Sequence, residues 1–310
     1  MKGEQAEMAP ERRRSVDHQR PADYKRPADY KRPAAKRQWK NTLYYTVLWI
    51  VVLIYFFPVL WIILSAFKTK SELLATPPVL FFKPTLENFI DLFHRDNFWP
   101  TFFNSITISL TSVGIAIVVS FLAAYALSRF KIYGSDFILF LILSIRMVPG
   151  AAVVVPVYLM YAALGWKDSF WPMTFFYAMF SIPFSLWILK GFMDGVSVRF
   201  DETGLANNAS RFHIIFRVIL PQVKPGLIAA FVFNMIFVWN EFLFNFILGG
   251  RQTTMIPTLL VSDSIQQGGV DWTFVASLGA VYLVPPVVAL FFFQKYLLVG
   301  MTFGTVRGEV

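Results

Sequence analysis

Six apolar runs divide most of the chain, and polar segments separate them. The runs cover residues 42–66, 102–127, 137–164, 170–189, 227–248 and 274–298. A helix needs roughly 20 apolar residues to cross the hydrocarbon core of a bilayer, and each run is long enough. Prolines inside several runs predict kinks or local unwinding, which membrane helices tolerate where neighbours satisfy the freed carbonyls. The pattern therefore predicts an all-α membrane protein with six transmembrane helices.

The composition agrees with this pattern and narrows the possible chemistry. Of 310 residues, 56% are hydrophobic and the mean hydropathy is +0.55, which is too apolar for an ordinary soluble domain. Without cysteine, the chain has no disulfide, thiolate nucleophile or cysteine metal cluster. The three histidines, His18, His94 and His213, fall in three separate regions. We therefore expect neither a histidine-built metal site nor a catalytic one.

Basic residues give the chain a formal net charge of +9. They lie mostly in the N-terminal tail and in alternate loops, as membrane topology requires, so we expect no nucleic-acid partner. Lysine and arginine counts place both termini and the polar segment 196–222 on the cytoplasmic side. Residues 1–40, which contain a tandem RPADYK repeat, bury too little apolar surface to order and are interpreted as a disordered cytoplasmic tail. Binding of this tail to anionic lipid headgroups is the alternative.

The polar segment 196–222 has the pattern of two short helices joined by a turn. Ser210 is the predicted N-cap of the second helix, because a serine hydroxyl accepts a hydrogen bond from a first-turn N–H. Apolar residues then recur at helical spacing, at Phe212, Ile215, Phe216 and Ile219. Pro221 is expected to end this helix, since proline lacks the amide proton. The alternative is an ordinary amphipathic helix at the membrane interface.

This segment resembles the EAA loop of permease subunits in ATP-binding-cassette importers. That loop has the pattern Glu-Ala-Ala, three residues, Gly-Ala-Ser, and then an amphipathic helix closed by Leu-Pro. The matching residues here are Glu202, Ala209-Ser210 and Leu220-Pro221. Thr203, Gly204 and Asn208 depart from it. Asn208 tolerates the left-handed backbone that such a turn needs, whereas Gly204 weakens a helix interior by about 1 kcal/mol relative to alanine.

The resemblance extends from about residue 43 to residue 308. It is strongest to the shorter, six-span second permease of the carbohydrate-uptake, maltose-type family. The segments that carry it, in chain order, are SAFKTKSELL, PTLENFIDLF, FFNSITISL, AAYALSRFKIYG, RMVPGAAVVVPVYLMYAALGW, WNEFLFNFIL and QKYLLVGMTFGTVRG. Several matches in the right order are more specific than the loop alone.

The resemblance implies that segment 196–222 docks as a coupling helix into a groove on a separate ATPase subunit. Glu202 would supply the charged contact, and the implied coupling residues are Glu202, Gly204, Asn207, Asn208, Ala209 and Ser210. The implied partners are a second permease subunit, two ATPase subunits, an extracytoplasmic sugar-binding protein and membrane lipid. The chain has no G-x-x-x-x-G-K-[ST] phosphate loop, so ATP and Mg²⁺ are expected on the partner ATPases and this chain is expected to be non-catalytic, without cofactor or metal.

Polar residues inside the runs form a second group of candidates. Arg146 lies near the middle of the third run, and Asn240 and Glu241 lie toward the outer end of the fifth. Ionisable residues at such depths usually face an aqueous cavity or pair with one another. Two interpretations follow: these residues line or gate a translocation path, or they make structural contacts within the bundle. Asn104, in the second run, either hydrogen-bonds a polyol in that path or joins helices.

We therefore predict a type I importer fold with one permease domain over residues 41–310, multi-pass in a bacterial-type inner membrane. The predicted function is translocation of a sugar or oligosaccharide by alternating access, driven by ATP and dependent on a binding protein. The outer loops 68–101 and 249–271 are candidates for contacting that binding protein, and residues 305–310 for contacting the ATPases. Two alternatives remain open: a permease for amino acids, phosphonates or metal ions, and a membrane scaffold or integral enzyme without transport.

Overall fold

The structure is a computed structural model that describes the backbone of residues 34–266 and 269–302, and the side chains of residues 41–265 and 269–296. Most of the predicted tail, with its repeat, and the predicted ATPase-contacting end lie outside the described residues. The elements in chain order are α1 (Ala34–Ala66), α2 (Lys70–Leu73), α3 (Glu87–His94), α4 (Phe98–Arg129), α5 (Ser135–Ile145), α6 (Gly150–Ala163), α7 (Phe170–Asp194), α8 (Arg199–Ala206), α9 (Arg211–His213), a π-helical segment (Ile214–Ile219), α10 (Leu220–Trp239), α11 (Leu243–Leu248), α12 (Ile256–Ser262), an antiparallel hairpin of β1 (Ile265–Gln266) and β2 (Gly269–Val270), and α13 (Trp272–Thr302).

Five helices in the described part of the chain are long and apolar enough to span a membrane. They are Asn41–Ala66, Phe98–Arg129, Phe170–Asp194, Arg211–Trp239 and Trp272–Tyr296. A sixth span is available if the bent pair α5 and α6 is taken as one. The chain divides after Phe57, and the first unit is described only as the N-terminal part of α1, whose apolar side chains are exposed. The bundle discussed below belongs to the second unit, Pro58–Val310.

Helices α4 and α7 form the centre of the bundle and pack against each other along their length. Both bury small side chains, which allow backbones to approach closely in a bilayer, where the hydrophobic effect does not drive helices together. The buried small residues are Ser105, Ser109, Ser112, Ala116, Ser120 and Ala124 on α4, and Thr174, Ala178, Ser181 and Ser185 on α7. Ser120 also donates a hydrogen bond to the carbonyl of Ile182 at 3.2 Å. Close packing of this kind makes the pair a firm centre for the other helices.

The third apolar run is two helices rather than one. α5 ends at Ile145 and α6 begins at Gly150, and the two axes differ by 85°. Pro149 causes the break, because it has no N–H for the helical ladder and its ring disfavours helical backbone at Val148. Prolines elsewhere are accommodated without a break: Pro156, Pro183, Pro285 and Pro286 lie inside continuous helices.

The fifth apolar run is displaced from its predicted bounds of 227–248. The helix is continuous from Arg211 to Trp239 and is then interrupted before α11. The prediction that Pro221 ends the second short helix is therefore wrong. In the π-helical segment the N–H of Leu220 donates to the carbonyl of Ile215, and regular α-helix begins again at Leu220. Pro221 thus occupies a first turn, where a missing N–H removes no α-helical hydrogen bond.

Polar side chains hold the loop between α11 and α12 at one end of the bundle, called here the far end. The carboxylate of Asp168, in the turn between α6 and α7, accepts from the N–H groups of Gln252 and Thr253 at 3.0 and 2.9 Å. The buried Asn245 Oδ1 accepts from the N–H of Met255 at 2.9 Å. Two connections that are distant in sequence are therefore fixed together.

An ion pair joins the two predicted outer loops at the far end. Arg95 Nη2 lies 2.7 Å from Asp271 Oδ2, and the Arg95 guanidinium lies 4.1 Å from the ring centroid of Phe274. Since Arg95 follows α3 and Asp271 precedes α13, the pair fastens one outer loop to the start of the last span.

We expect Asp271→Asn to lower the thermal unfolding midpoint at pH 7. Burial acts to raise the pKa of Asp271, but hydrogen bonds from Thr273, the Phe274 N–H and Arg95 outweigh it and hold the pKa below its ordinary value. A depressed carboxylate pKa gives stability above the unfolded-state value of about 3.9, and this stability is lost as pH falls through the folded pKa. The unfolding midpoints of the variant and the wild type should therefore approach each other as pH falls below about 4 toward the folded-state pKa. Thermal scans in detergent at pH 7 and at pH values below 4 test this. The control is Asp91→Asn, which changes an exposed acid on α3. Equal midpoints for the two variants at pH 7 would contradict the prediction.

Candidate functional site

Residues 199–213, called here the knob, comprise α8, a turn and α9. The knob follows α7 and leads through the π-helical segment into α10. Its predicted coupling residues lie at or near the surface: Glu202, Asn207, Asn208 and Ser210 are exposed, and Gly204 and Ala209 are half-buried. The structure therefore brings all six predicted residues together on one accessible element.

One buried carboxylate attaches the knob to the bundle. Asp201, in the first turn of α8, accepts hydrogen bonds from Arg129 Nε at 2.8 Å and from Tyr125 Oη at 2.7 Å. The side chains of Arg129 and Asp201 are only 5% and 8% exposed. Buried charges are tolerated when they are paired and their remaining hydrogen-bonding groups are satisfied, as they are here. Because Tyr125 and Arg129 are one turn apart on α4, the knob is fixed to the end of that helix.

The other donors of Arg129 extend the attachment to α7. Arg129 Nη2 donates to the Val196 carbonyl at 2.9 Å, and Nη1 contacts the Met193 carbonyl at 3.4 Å. A guanidinium at these carbonyls also complements the negative C-terminal end of the helix dipole. The neighbouring Ser128 donates to Asp194 at 2.7 Å. The ends of α4 and α7 and the start of α8 therefore form one polar cluster.

The turn of the knob has the predicted backbone. Asn208 has a φ of 57°, in the left-handed region that asparagine tolerates better than most residues. The Ser210 hydroxyl accepts from the N–H of His213 at 3.2 Å, which confirms the predicted N-cap. The turn therefore ends α8 and begins α9 with its own side chains and backbone.

Gly204 has a packing role that its helix propensity does not indicate. A Cβ atom at this position would lie 2.7 Å from Cγ1 of Ile214. Glycine therefore lets α8 approach the π-helical segment, whose residues Ile214 and Ile219 are buried in the core with Val223. The approach compensates for the weaker helix.

The knob also presents apolar surface. Phe200 is 46% exposed, Leu205 is 41% exposed and Phe212 is 71% exposed. An open cavity of about 520 Å³ beside α8 is lined by Ser197, Arg199, Phe200, Thr203, Gly204, Asn207 and Val218. Exposed apolar groups next to polar ones are typical of a protein contact surface.

A second cavity, of about 590 Å³, lies where the broken third and fifth runs face α7. It contains three of the four predicted path residues, Arg146, Asn240 and Glu241. The remaining lining is largely aromatic: Phe176, Tyr177, Phe180, Phe237, Phe242 and Phe244, with Val148, Gly150, Ile236 and Leu243. Both helix breaks therefore open onto the same space.

Arg146 and Glu241 make different contacts in this cavity. Arg146 Nη1 lies 3.4 Å from Asn234 Oδ1, and its guanidinium is 4.3 Å from the Phe237 ring centroid. The Glu241 carboxylate accepts from Tyr177 Oη at 2.5 Å and from the Phe244 N–H at 3.0 Å. Among the described residues the two do not form an ion pair. Glu241 is thus engaged in capping α11. Among the described residues, Arg146 has one hydrogen-bond acceptor, Asn234 Oδ1.

The fourth path candidate lies elsewhere. Asn104 Nδ2 donates to the carbonyls of Gln252 and Thr254 at 2.8 and 3.2 Å, at the far end of α4. It therefore joins α4 to the loop before α12 and does not line the cavity. In the described part of the chain, no group of three or more histidine, aspartate or glutamate side chains is placed to hold a metal ion.

Comparison with known proteins identifies the family. Residues 116–302 match the family described as "Binding-protein-dependent transport system inner membrane component". The chain belongs to this family. The matched region includes the C-terminal part of α4, the knob and both cavities, so the predicted kind of protein, an importer permease, is confirmed.

Curated relatives cover nearly the whole permease. It is 32% identical over 266 residues to "Probable ABC transporter permease protein y4oR" of Sinorhizobium fredii, which covers 86% of this chain and 95% of the relative. It is 26% identical to the diacetylchitobiose uptake system permease protein DasC of Streptomyces coelicolor, over 81% of this chain and 92% of the relative. It is 28% identical to the trehalose/maltose transport system permease protein MalG of Thermococcus litoralis, over 84% and 94%.

A solved structure supports the fold. A chain of a bacterial ABC transporter involved in the import of the acidic polysaccharide alginate superposes with a TM-score of 0.72 at 19% identity, covering 84% of the permease and 97% of that chain. The predicted fold, that of a type I importer permease, is therefore confirmed.

Sequence reasoning missed the residues that hold both sites in place. The sequence did not single out Arg129, Asp201 or Tyr177. One signal was available: Tyr125 and Arg129 are one turn apart where the second run ends, and they lie on the same predicted side of the membrane as Asp201 in segment 196–222. The partner of Glu241, Tyr177, lies 64 residues away and has no local signal.

We expect Asp201→Leu to destabilise the permease by about 3 kcal/mol, because removing one member of a buried ion pair leaves the other charge unpaired. The double variant Asp201→Leu with Arg129→Met should recover part of that loss. Thermal unfolding midpoints and protease sensitivity of the knob measure both effects, with the exposed Asp136→Leu as control. Additive losses in the double variant would show that the pair is not coupled.

Proposed function

We propose that the permease is the membrane-spanning, non-catalytic subunit of an ATP-driven importer that translocates a sugar or oligosaccharide by alternating access. Two relatives that it matches over more than four-fifths of its length are named for uptake of diacetylchitobiose and of trehalose/maltose. The aromatic cavity around Arg146 and Asn240 supports this solute class, since aromatic faces pack on sugar rings while the polar groups bond hydroxyls.

The observation that carries the proposal is the attached knob. Its surface is exposed and mixed polar and apolar, yet its first helix is held by the buried Arg129–Asp201 pair. An element that only rests at the membrane interface needs no such attachment. An element that transmits a partner's motion needs this attachment, because the motion must reach α4 and α7 as a rigid-body movement.

The proposed partners follow from the surfaces that the permease presents. Two ATPase subunits, which bind ATP and Mg²⁺, would each receive a knob, one from this chain and one from a second permease subunit. Glu202 would provide the charged contact, with Phe200 and Phe212 as apolar contacts beside it. The knob end would face the cytoplasm, and both termini would lie on the same side.

A solute-loaded binding protein would dock at the far end. The outer loops there are joined by Arg95 and Asp271, so they would respond to docking as one surface. The helix breaks line the cavity of Arg146 and Glu241, which would receive the solute from that surface. Closure of the ATPase pair would then move the knob, α4 and α7 together and change which side of the membrane the cavity faces.

The experiment compares the native chain with Glu202→Lys in the complex reconstituted in lipid. ATP hydrolysis is measured with and without sugar-loaded binding protein. We expect the binding protein to stimulate hydrolysis by the native complex, and Glu202→Lys to abolish stimulation or assembly. Asp136→Lys reverses an exposed charge outside the knob and should leave stimulation unchanged. If no ATPase copurifies with the chain and Glu202→Lys changes nothing, the knob is only an interfacial helix.

A second experiment examines the cavity. Arg146→Gln should slow sugar uptake by about tenfold, because a hydrogen bond to a charged group contributes about 1.5 kcal/mol or more. Basal ATP hydrolysis should be unaffected, since Arg146 is not in the knob. Arg251→Gln, an exposed change at the far end, is the control. Uptake by Arg146→Gln equal to that of the control would remove Arg146 from the path.

A further inference from the structure

A third cavity lies on the opposite side of α4 from its buried small residues. It is a groove of about 390 Å³ with no polar lining, between α4, the π-helical segment, α10 and α13. Its lining residues are Ile117, Val118, Phe121, Leu122, Phe216, Leu220, Leu227, Ile228, Phe231 and Phe293. Neither the knob nor the proposed translocation cavity uses this groove.

The lining favours a flexible chain over a packed helix. Close helix association in membranes depends on glycine, alanine, serine and threonine, which allow backbones to approach. None of the groove residues is of these types, whereas α4 buries many small residues elsewhere. Large aromatic and branched side chains hold a neighbouring backbone away and leave room for an acyl chain.

Two cations lie close in sequence to the groove residues nearest the knob. Lys224 lies on α10 four residues after Leu220 and three before Leu227, so it shares their face of the helix. Arg217 lies in the π-helical segment, next to Phe216. Both side chains are exposed, and neither forms an ion pair with a carboxylate of the described residues. An anionic group would complement them.

We propose that this groove binds an anionic phospholipid, with one acyl chain in the apolar groove and the phosphate headgroup on Arg217 and Lys224. The site rests on the proposed orientation, in which the knob end faces the cytoplasmic leaflet that carries anionic lipid. The acyl chain covers Phe216 and Leu220, so the lipid supports the π-helical segment from the side opposite Gly204. Lipid charge thereby acts on the element that positions the knob.

Photo-crosslinking in liposomes tests the site. The full-length permease, purified with its partner subunits, is reconstituted with phosphatidylglycerol or phosphatidylcholine carrying the same diazirine-labelled acyl chain. Crosslinked peptides are identified by mass spectrometry, so the readout needs neither transport nor ATP hydrolysis. We expect phosphatidylglycerol to label peptides that contain residues 216–231 in preference to phosphatidylcholine.

Substitution of the two cations distinguishes binding of the lipid headgroup from binding of its acyl chain. Each of Arg217→Gln and Lys224→Gln should lower phosphatidylglycerol labelling about fivefold, as expected for one basic side chain at an anionic surface. The charge-preserving pair Arg217→Lys with Lys224→Arg should retain labelling, which separates a lost charge from misfolding. Lys131→Gln removes an exposed cation outside the groove and should have no effect.

Three results would overturn the site. One is equal labelling by the two lipids. Another is labelling that persists in the double glutamine variant. The third is the absence of label from either lipid on residues 216–231 in the assembled complex, which would show that protein covers the groove, as at a subunit interface. If the native complex shows the expected phosphatidylglycerol labelling but no sugar-stimulated ATP hydrolysis, the result counts against the proposed function alone.

Discussion

The ion pair between Arg129 and Asp201 fixes the position of everything that the permease presents at its knob end. Two charges almost removed from solvent are held by Tyr125, by the Val196 carbonyl just after α7 and by each other. A contact of this kind cannot slip without exposing an unpaired buried charge, which would be strongly destabilising. The knob therefore behaves as an extension of α4 and α7.

The membrane-spanning part follows a different rule. Small buried residues bring α4 and α7 into close contact, and Gly226 does the same for α10, where an added Cβ would lie 2.5 Å from Phe192. Two membrane helices are broken. Pro149 causes the break between α5 and α6, and Glu241 caps α11 after the helix is interrupted at residue 240. Both breaks open onto the cavity that contains Arg146, Asn240 and Glu241, so the irregular backbone lines a cavity and does not face lipid, as the bilayer requires.

Much of this was predictable from local pattern. Apolar runs predicted the spans, and the type of residue at 208 and 210 predicted the left-handed turn and the N-cap. The course of the fifth span was not predictable. A π-helical segment precedes α10, so Pro221 lies in the first turn of α10, where its missing N–H breaks no α-helical hydrogen bond. Gly204 looked unfavourable until its contact with Ile214 was known. Asp201 and Tyr177 acquire their roles through partners 72 and 64 residues away, and no periodicity records such contacts.

The central claim is that the knob and α7 move as one body, and a distance measurement tests it most directly. The chain has no cysteine, so Ala206→Cys on the knob and Trp187→Cys on α7, both exposed, can be spin-labelled without removing native sites. Pulsed electron spin resonance on the assembled complex gives the distance between the labels with and without ATP. The account predicts one narrow distance that ATP leaves unchanged, and a broadened distribution when Asp201→Asn is added. A distance that shifts with ATP in the native background would contradict it.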